Sequence, residues 1–408
     1  MDVPYGNVIT TGYFAGTANF NPGGSYPLTS NGFDDIFISK LNSSGSFSWA
    51  KSMGGSLSDA SYGLVLDGSN NIYSCGVFTG TADFDPSGPV VNLAGPSALN
   101  GYVHKLNSSG TFQWVKGFFS TGTSDTWCTD IDMDATSNLY ISGYHFGTTD
   151  FDPGTSSMTL TAAGSSDMFG LKLDGSGTYL WAESHGSAAP DYGLSIHVLT
   201  NNEFYISGGN KAQFNFEDAP ICGPSVMPYV ADYDIYVAKW GPDLDAGWHN
   251  TTKNTQFAEI YNDVITDQQG NVYVVGTFTK STTLEGGDNP DVTINSGLSS
   301  TLETNTFVAK YNQCGNLVWA SNSTDFLGNT GNGIALDENA GMVYITGNFN
   351  QVLRFSSAVS YDGLCTVPNT VTIFTTGSVR GYVAQFDMNT GCLYFVNPMT
   401  LVSSGLID

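Results

Sequence analysis

The stretch from Asn71 to Lys116, NIYSCGVFTGTADFDPSGPVVNLAGPSALNGYVHKLNSSGTFQWVK, is one copy of a unit that the chain repeats six times. A strand-like run that ends in glycine marks each copy, at Gly12, Gly76, Gly143, Gly208, Gly276 and Gly347. By subtraction, the steps between these glycines are 64, 67, 65, 68 and 71 residues. Self-similarity at such a period is the signature of a repeat architecture, so this unit decides the fold.

Two further landmarks recur in the same order. An aromatic residue is followed three places later by lysine, at Phe37/Lys40, Tyr102/Lys105, Phe169/Lys172, Tyr236/Lys239 and Phe307/Lys310, while Tyr382 has Gln385. A tryptophan follows a polar turn, at Trp49, Trp114, Trp181, Trp248 and Trp319, with Tyr394 in the last copy. We expect each lysine to lay its stem over the neighbouring aromatic and to pair its ammonium with a nearby acidic residue, for instance one of the periodic aspartates Asp67, Asp134, Asp267 and Asp337.

Each copy reads as four short strands. In the copy quoted above, the first is the glycine-led run from Gly63 to Asp67, and the second is NIYSCG, in which apolar and small residues alternate. The third carries the aromatic residue and the lysine, and the fourth carries the tryptophan. Polar and glycine-rich turns of the kind that antiparallel hairpins require separate them. The sequence therefore predicts an all-β fold, a β-propeller of four-stranded antiparallel blades.

The phase of the repeat predicts how the propeller closes. The chain opens with a second strand, Asn7 to Gly12, and ends with Ser404 to Asp408, which matches a first strand. We expect a single domain over residues 1–408, with six blades closed by the C-terminal strand. The repeats span approximately 1–67, 68–134, 135–199, 200–267, 268–337 and 338–408. The alternatives are a seven-bladed ring or a piece of a longer chain.

These motifs resemble a bacterial family of seven-bladed β-propeller repeats found in large secreted and surface proteins. The DFDP element at Asp83–Pro86, and DFDPG at Asp150–Gly154, is similar to the versions exported by the type IX route. The resemblance covers essentially the whole chain and implies the propeller fold and a bacterial, secreted or surface location. It implies no catalytic residues, and this chain departs from the family in having six copies.

Composition limits the partners. The chain has 12 Lys and Arg against 37 Asp and Glu, a formal charge of −25. Phosphate recognition needs clustered Lys and Arg, so nucleic acid is not an expected partner, and neither is an anionic membrane surface. No stretch approaches the roughly 20 apolar residues of a membrane helix. Only 12% of residues are charged, and this polar but uncharged composition predicts an extracellular or cell-surface location.

The DFDP elements are candidate calcium sites. Asp83 and Asp85, and equally Asp150 and Asp152, place two carboxylates on the same side of an extended segment, and oxygen ligands suit Ca²⁺. The alternative is a turn in which aspartate caps backbone amides while the phenylalanine fills the blade. Copies that lack the carboxylates, such as Asn19 and Asn21 in the first, favour the turn.

Positions at which the copies differ are candidates for recognition. Predicted first strands carry Asp130, Asp132, His197 and Asp263, which we expect to face the central channel, where they would bind a cation, a small polar ligand or water. The links between second and third strands are enlarged at Phe216–Asp232, Leu284–Thr304 and Phe355–Ser378. Long loops on a rigid scaffold often carry recognition, so these three loops are predicted to contact a partner.

The six cysteines show neither a CxxC pair nor zinc spacing. We expect Cys75 and Cys128 to be buried free thiols. A disulfide is an alternative for Cys314 with Cys392, and with less support for Cys222 with Cys365.

The sequence favours a non-catalytic extracellular module that binds protein or glycan at the cell surface. The five histidines occupy non-equivalent repeat positions, and there is no GxSxG or HExxH motif. One alternative is a polysaccharide-acting enzyme with carboxylates at the channel mouth. Another is a self-assembling building block of a filament or adhesin, as part of a larger polypeptide.

Overall fold

The computed structural model describes most of the chain as β-structure. The described residues are 6–96, 98–122, 124–212, 214–215, 226–227, 234–242, 244, 246–252, 260–296, 304–324, 328–350, 352–355, 359–360, 371–374 and 380–399. They contain strands and turns but no helix, and so no helix that could cross a membrane. The chain divides into two compact units between Ala188 and Ala189.

Six antiparallel sheets follow one another along the chain, and we number them sheet 1 to sheet 6. Five have a described first strand: Ala60–Leu66, Thr126–Met133, Asp191–Val198, Ile260–Thr266 and Asn329–Asp337. The second strands are Val8–Asn19, Ile72–Phe78, Leu139–Asp150, Phe204–Asn210, Val272–Thr279 and Met342–Phe349. The third strands are Pro27–Leu41, Asn100–Leu106, Thr159–Leu173, Asp234–Trp240, Thr304–Tyr311 and Arg380–Asp387. The fourth strands are Phe47–Gly55, Phe112–Ser120, Tyr179–His185, Ala246–Thr251, Leu317–Asn322 and Leu393–Pro398.

Within each sheet the described strands pair in chain order, first to second to third to fourth in sheets 2 to 6 and second to third to fourth in sheet 1. This arrangement confirms the predicted all-β class and the antiparallel four-stranded blade. Sheets 1 to 3 lie in the unit before Ala189, and sheets 4 to 6 lie in the unit after Ala188. The segment predicted to complete sheet 1, Ser404–Asp408, lies outside the described residues. The six-bladed closure and the single domain stay predictions.

The register explains why glycine and an aromatic residue mark every copy. Each landmark glycine of a second strand pairs with the landmark aromatic of the third, as Gly143 does with Phe169 and Gly347 with Tyr382. A Cβ atom on Gly143 would lie 2.6 Å from the ring of Phe169. The aromatic ring therefore covers the glycine, and a larger residue there would displace it.

A small hairpin joins the second and third strands. In sheets 1 and 3 these strands continue into it, whereas the other sheets have separate pairs: Thr81–Asp83 with Asn92–Ala94, Phe214–Asn215 with Val226–Met227, Ser281–Leu284 with Val292–Asn295, and Val352–Phe355 with Val371–Phe374. The hairpin of one sheet pairs with the fourth strand of the sheet before it, through Gly55↔Ala82, Asp150↔Phe119, Thr252↔Leu284 and Ser323↔Phe355. A further short strand, Val359–Ser360, pairs with the fourth strand of sheet 5.

The periodic lysines lie over aromatic rings, as the sequence predicts. The ring belongs to a second-strand tyrosine, and the distances from Nζ to the ring centroid are 4.5 Å for Lys105 on Tyr73, 4.3 Å for Lys172 on Tyr140, 6.0 Å for Lys239 on Tyr205 and 5.0 Å for Lys310 on Tyr273. The predicted pairing with a nearby acidic residue is confirmed for Lys172, which lies 3.4 Å from Asp134, and for Lys239, which lies 2.8 Å from Glu203. The periodic tryptophan packs on the same tyrosine, as Trp319 does on Tyr273.

The cysteines agree with the sequence in part. Cys75 and Cys128 are free and buried, which confirms that prediction. Cys314 is free and exposed, whereas Cys392 is disulfide-bonded, so the alternative that pairs Cys314 with Cys392 is wrong. Cys314 lies in an exposed turn that holds its thiol in solvent. Cys222 and Cys365 lie outside the described residues.

Replacing Trp319 by alanine should destabilise the fold more than the same change at Trp114. Trp319 is fully buried and donates a hydrogen bond from Nε1 to the carbonyl of Met388 at 3.1 Å, whereas Trp114 is half-buried. We expect Trp319→Ala to lower the free energy of unfolding by about 3–5 kcal/mol. Chemical denaturation measures this, and Trp319→Phe, which keeps most of the ring, serves as the control. Equal losses at Trp114 and Trp319 would contradict the assigned burial.

Candidate interaction surface

The four aspartates predicted to bind calcium lie at the tips of the hairpins. Oδ1 of Asp150 accepts hydrogen bonds from the amides of Asp152, at 3.1 Å, and Met158, at 2.8 Å. Oδ1 of Asp152 accepts from the amide of Gly154 at 2.8 Å. The phenylalanine between them, Phe151, is fully buried, as predicted.

The equivalent aspartates of sheet 2 make the same bonds. Oδ1 of Asp83 accepts from the amides of Asp85, at 3.1 Å, and Val91, at 2.9 Å, and Oδ1 of Asp85 accepts from Ser87 at 3.0 Å. In sheet 1, Asn19 caps the hairpin in this way without a charge. Across the described residues, no three His, Cys, Asp or Glu side chains are grouped to hold a metal ion. These oxygens act as turn caps, and a calcium ion there stays a prediction.

Asp263, one of the predicted channel residues, joins three first strands. Its Oδ1 accepts hydrogen bonds from the hydroxyl of Ser195 in sheet 4, at 3.0 Å, and from the amide of Val264, at 2.9 Å. Its Oδ2 accepts from the amide of Ile334 in sheet 6 at 2.9 Å. Burial raises the pKa of this carboxyl, and the three donors and nearby His197 oppose that shift. Asp263 thus ties the first strands of sheets 4, 5 and 6 together.

The other predicted channel residues occupy related positions. Asp130 follows a β-bulge, as Asp263 does, and its Oδ1 accepts from the amide of Ile131 at 2.8 Å. Asp132 accepts from the amide of Met133 at 2.8 Å. A Cβ on Gly63 of sheet 2 would lie 3.0 Å from the carboxylate of Asp130, so this carboxylate lies against the neighbouring first strand. His197 is half-buried in the first strand of sheet 4.

Two buried histidines are held neutral inside the sheets. Burial lowers the pKa of His104 to about 3, and its Nε2 lies 3.1 Å from the carbonyl oxygen of Phe84. Burial lowers the pKa of His145 to about 4, and its Nε2 lies 2.8 Å from the hydroxyl of Ser184. Both side chains are completely buried, so they pack the interior and do not face solvent.

The enlarged loops predicted to contact a partner are described only in part. All of Phe216–Asp232 except Val226 and Met227 lies outside the described residues, as does much of Phe355–Ser378. In the link of sheet 5, Leu284 and Val292 are buried and form part of a short hairpin. The partner-contacting role of these loops stays a prediction.

A row of aromatic side chains crosses sheets 1 to 3 at the surface. Tyr62 stacks on Trp127 with ring centroids 5.9 Å apart and an interplanar angle of 19°. Trp127 stacks on Tyr144 at 5.5 Å and 15°. Tyr13 of sheet 1 lies near Tyr62, and both are exposed, by 55% and 42%. We call Tyr13, Tyr62, Trp127 and Tyr144 the aromatic row.

The local fold explains why these rings meet. Trp127 and Tyr144 are direct cross-strand partners in sheet 3, so their side chains leave the same face. Tyr62 is the extra residue of the β-bulge in the first strand of sheet 2, between Ser61 and Gly63. A bulge re-aims a side chain, which here brings Tyr62 against the tryptophan of the next sheet.

An acidic side chain lies beside the aromatic row. Asp34 lies close to Tyr62: burial, then the neighbouring Tyr13 and Asp34, raise the pKa of the Tyr62 phenol to about 12. The row therefore stays uncharged at neutral pH beside a carboxylate.

Sequence reasoning missed this surface. The available signal was that Trp127 falls outside the periodic tryptophan series. That signal is ambiguous, because Trp240 also breaks the period and is buried, stacked on Phe204 at 5.6 Å. Which of the two tryptophans outside the repeat period reaches the surface depends on the sheet that packs beside it.

Comparison with known proteins adds a distant relative. No family model matches the sequence. An uncharacterized WD repeat-containing protein of Acanthamoeba polyphaga mimivirus is 23% identical over 425 residues, which cover 90% of this chain and 30% of that protein's length. Quinohemoprotein alcohol dehydrogenase from Comamonas testosteroni is similar in structure with 10% identity and a TM-score of 0.37, over 98% of this chain and 64% of that one. The repeat-containing relative accords with a β-propeller repeat, and the bacterial type IX family stays a prediction.

Replacing Asp150 should show that its carboxylate caps a turn. We expect Asp150→Asn to change the melting temperature little, because asparagine keeps the acceptor, as Asn19 does in sheet 1. Asp150→Ala should lower the free energy of unfolding by about 1 kcal/mol, since the amides of Asp152 and Met158 lose their acceptor. Melting curves with calcium and with a chelator complete the test. A calcium-induced rise that Asp150→Asn abolishes would instead establish an ion site.

Asp263→Ala should destabilise the fold by about 2–3 kcal/mol, because it leaves the amide of Ile334 and the hydroxyl of Ser195 without an acceptor. Urea denaturation measures the change. Asp263→Asn is the control, because its amide oxygen keeps one acceptor where the carboxylate has two. A stable Asp263→Ala protein would contradict the structural role.

Proposed function

We propose that this chain is a non-catalytic interaction module that binds a protein partner outside the cell through the aromatic row. The observation that carries this proposal is that four aromatic rings from three consecutive sheets converge at the surface and stay partly exposed. Exposed apolar patches of this kind mark interaction sites, and Tyr and Trp are the residues that most often dominate binding energy.

Charge defines the kind of partner. The chain carries a formal charge of −25, and Asp34 lies next to Tyr62 at the row. Complementary potentials steer association, so the partner should present Lys or Arg around an apolar centre. The stacked rings of Tyr62, Trp127 and Tyr144 cover part of one another's faces, so their edges remain for contact with a partner. A row of ring edges suits a groove on a protein surface.

The disulfide of Cys392 supports an extracellular location. Disulfides persist in oxidising compartments and are rare in the cytosol. The low content of charged residues and the resemblance to secreted propeller repeats agree with this assignment. The relative from mimivirus is itself uncharacterized, so its name supports a repeat protein and nothing about a partner.

The described carboxylates support a non-catalytic role. A glycosidase needs two carboxyl groups that face a substrate across a cleft. Asp263 and Asp150 instead accept hydrogen bonds from backbone amides of their own or neighbouring strands. The buried histidines are neutral and packed among aromatic rings.

The experiment compares partners of the wild-type chain and of a Tyr13→Ser/Tyr62→Ser variant. Proteins captured from a culture secretome are identified, expressed separately and titrated against both chains. We expect the variant to bind the authentic partner at least tenfold more weakly, because exposed aromatic anchors at interfaces carry about 2 kcal/mol or more each. Raised salt should slow association with the wild-type chain.

A matched control is Tyr394→Ser, since Tyr394 is exposed to the same 55% as Tyr13 but lies in the other unit. Unchanged melting temperatures show that neither variant disturbs the fold. Partners that bind the double variant and the wild type equally would contradict the proposal. A glycan array and sedimentation of the chain alone serve as further tests: glycan binding or self-association lost in the double variant would replace the protein partner by a glycan or a second copy.

A further inference from the structure

Two carboxyl groups meet inside the junction between sheets 1 and 2. Asp35 lies in the third strand of sheet 1, and Asp59 lies just before the first strand of sheet 2. Both are fully buried. A Cβ atom on Gly54 would lie 2.7 Å from Oδ1 of Asp35 and 2.9 Å from Oδ2 of Asp59, so both oxygens border the same small volume beside Gly54.

One of the four carboxylate oxygens of this pair has no hydrogen-bond donor. Oδ2 of Asp59 accepts from the amide of Gly55 at 2.7 Å, and Oδ1 accepts from Thr79 at 2.9 Å. Oδ2 of Asp35 accepts from the amide of Asn31 at 3.0 Å. Oδ1 of Asp35 is buried and has no hydrogen-bond partner. A buried acceptor without a donor destabilises a fold, so this oxygen needs a hydrogen.

The same chain shows how the donor is supplied elsewhere. Asn305 occupies the position of Asp35, two residues before the landmark aromatic, and Asn329 occupies the position of Asp59. There, Nδ2 of Asn329 donates to Oδ1 of Asn305 at 3.4 Å. With aspartate at both positions the amide hydrogen is absent, and only a protonated carboxyl can donate in its place.

The ionisable groups around the pair increase the need for a proton. Asp34 is adjacent on the third strand, and Tyr102 faces Asp59 from the third strand of sheet 2. Asp83 lies on the hairpin opposite Gly54, and Tyr62 lies on the first strand near Asp34. None of these four groups is a cation, so none offsets a second negative charge.

We propose that Asp35 and Asp59 share one proton, which makes the junction between sheets 1 and 2 a site that takes up a proton in mildly acidic solution. The neutral carboxyl donates its O–H to the other carboxylate, as the asparagine amide does between sheets 5 and 6. Two carboxylates that share a buried site do not both ionise readily.

The direction of the pH effect follows from this arrangement. Burial raises the pKa of Asp59 from 3.8 to about 6, and the nearby carboxyl groups of Asp35 and Asp34 add to this rise. Hydrogen bonds from the amides of Thr79 and Gly55 oppose it. A carboxyl whose pKa is higher in the folded state stabilises the fold fully below pH 3.8, and this contribution is lost as the pH rises through about 6. His104 and His145 act oppositely, since their lowered pKa values make folding less favourable as the pH falls below about 6.5. The histidines are the same in the wild type and in a variant of Asp35 or Asp59, so the difference between their melting temperatures reports the carboxyl pair alone.

The experiment measures melting temperature from pH 4.5 to 7.5 for the wild type and for Asp35→Asn. The asparagine supplies the missing hydrogen, so we expect the variant to melt about 2–4 °C higher than the wild type at pH 7.5 and no higher at pH 4.5. The reverse change, Asn305→Asp with Asn329→Asp, should lower the melting temperature at pH 7.5 more than at pH 4.5. Infrared difference spectra should show a protonated carboxyl at pH 5 that Asp59→Asn removes.

Asp152→Asn is the control, because Asp152 is not among the charges that act on Asp59 and its asparagine keeps the acceptor for the Gly154 amide, so the pH dependence should stay unchanged. Identical pH profiles for the wild type and Asp35→Asn, or an unchanged carboxyl band in Asp59→Asn, would overturn the proposal. So would a rise in melting temperature with calcium at pH 7.5 in the wild type but not in Asp35→Asn, since an ion would then replace the proton. If Asp35→Asn does not fold, the reverse pair and the wild-type spectrum still decide the question.

Discussion

A single backbone carbonyl, that of Met388, accepts hydrogen bonds from two side chains of the preceding sheet, Nζ of Lys310 at 3.0 Å and Nε1 of Trp319 at 3.1 Å. The hydroxyl of Tyr273 lies 3.4 Å from the same carbonyl and donates to Oδ2 of Asp267 at 3.1 Å. Met388 belongs to the turn between the third and fourth strands of sheet 6. The landmark lysine and tryptophan of one repeat thus hold the turn of the next, and the same tyrosine supports both side chains.

Equivalent side chains make the same contact between sheets 2 and 3 and between sheets 4 and 5. Lys105 of sheet 2 donates to the carbonyl of Gly175 in sheet 3 at 3.3 Å, and the hydroxyl of Tyr73 lies 3.4 Å from that carbonyl and 3.3 Å from Oδ2 of Asp67. Trp248 of sheet 4 donates to the carbonyl of Gln313 in sheet 5 at 2.8 Å. A buried lysine is costly unless its charge is balanced, and burial lowers the pKa of Lys310 while Asp267 and Asp387 oppose that shift. The periodic aspartate is therefore part of the same contact.

Sequence reasoning reached the features that depend on one repeat. Glycine and an aromatic ring mark every copy because they pair across two neighbouring strands, and such local pairing leaves a periodic trace. The lysine over a tyrosine was predictable for the same reason.

The hairpin that pairs with the preceding sheet was not predictable, because its partner strand belongs to another repeat. The aromatic row was hidden likewise, since Tyr62 and Trp127 meet only when sheets 2 and 3 pack side by side. The contact between Asp263 and the amide of Ile334 was not predictable either, because it joins the first strands of two repeats.

Pairing between a hairpin and the fourth strand before it runs in one direction along the chain. At the four junctions described, the fourth-strand edge of a sheet is covered by residues made later, as Gly55 is by Ala82 and Phe119 by Asp150. During synthesis at about 5–20 residues per second, a repeat of about 65 residues takes roughly 3–13 s to emerge. For that interval the newest sheet presents an uncovered edge, the kind of surface on which nascent chains associate wrongly. The rate of translation therefore sets how long a fourth-strand edge stays exposed before the next hairpin pairs with it, and slow translation lengthens that time.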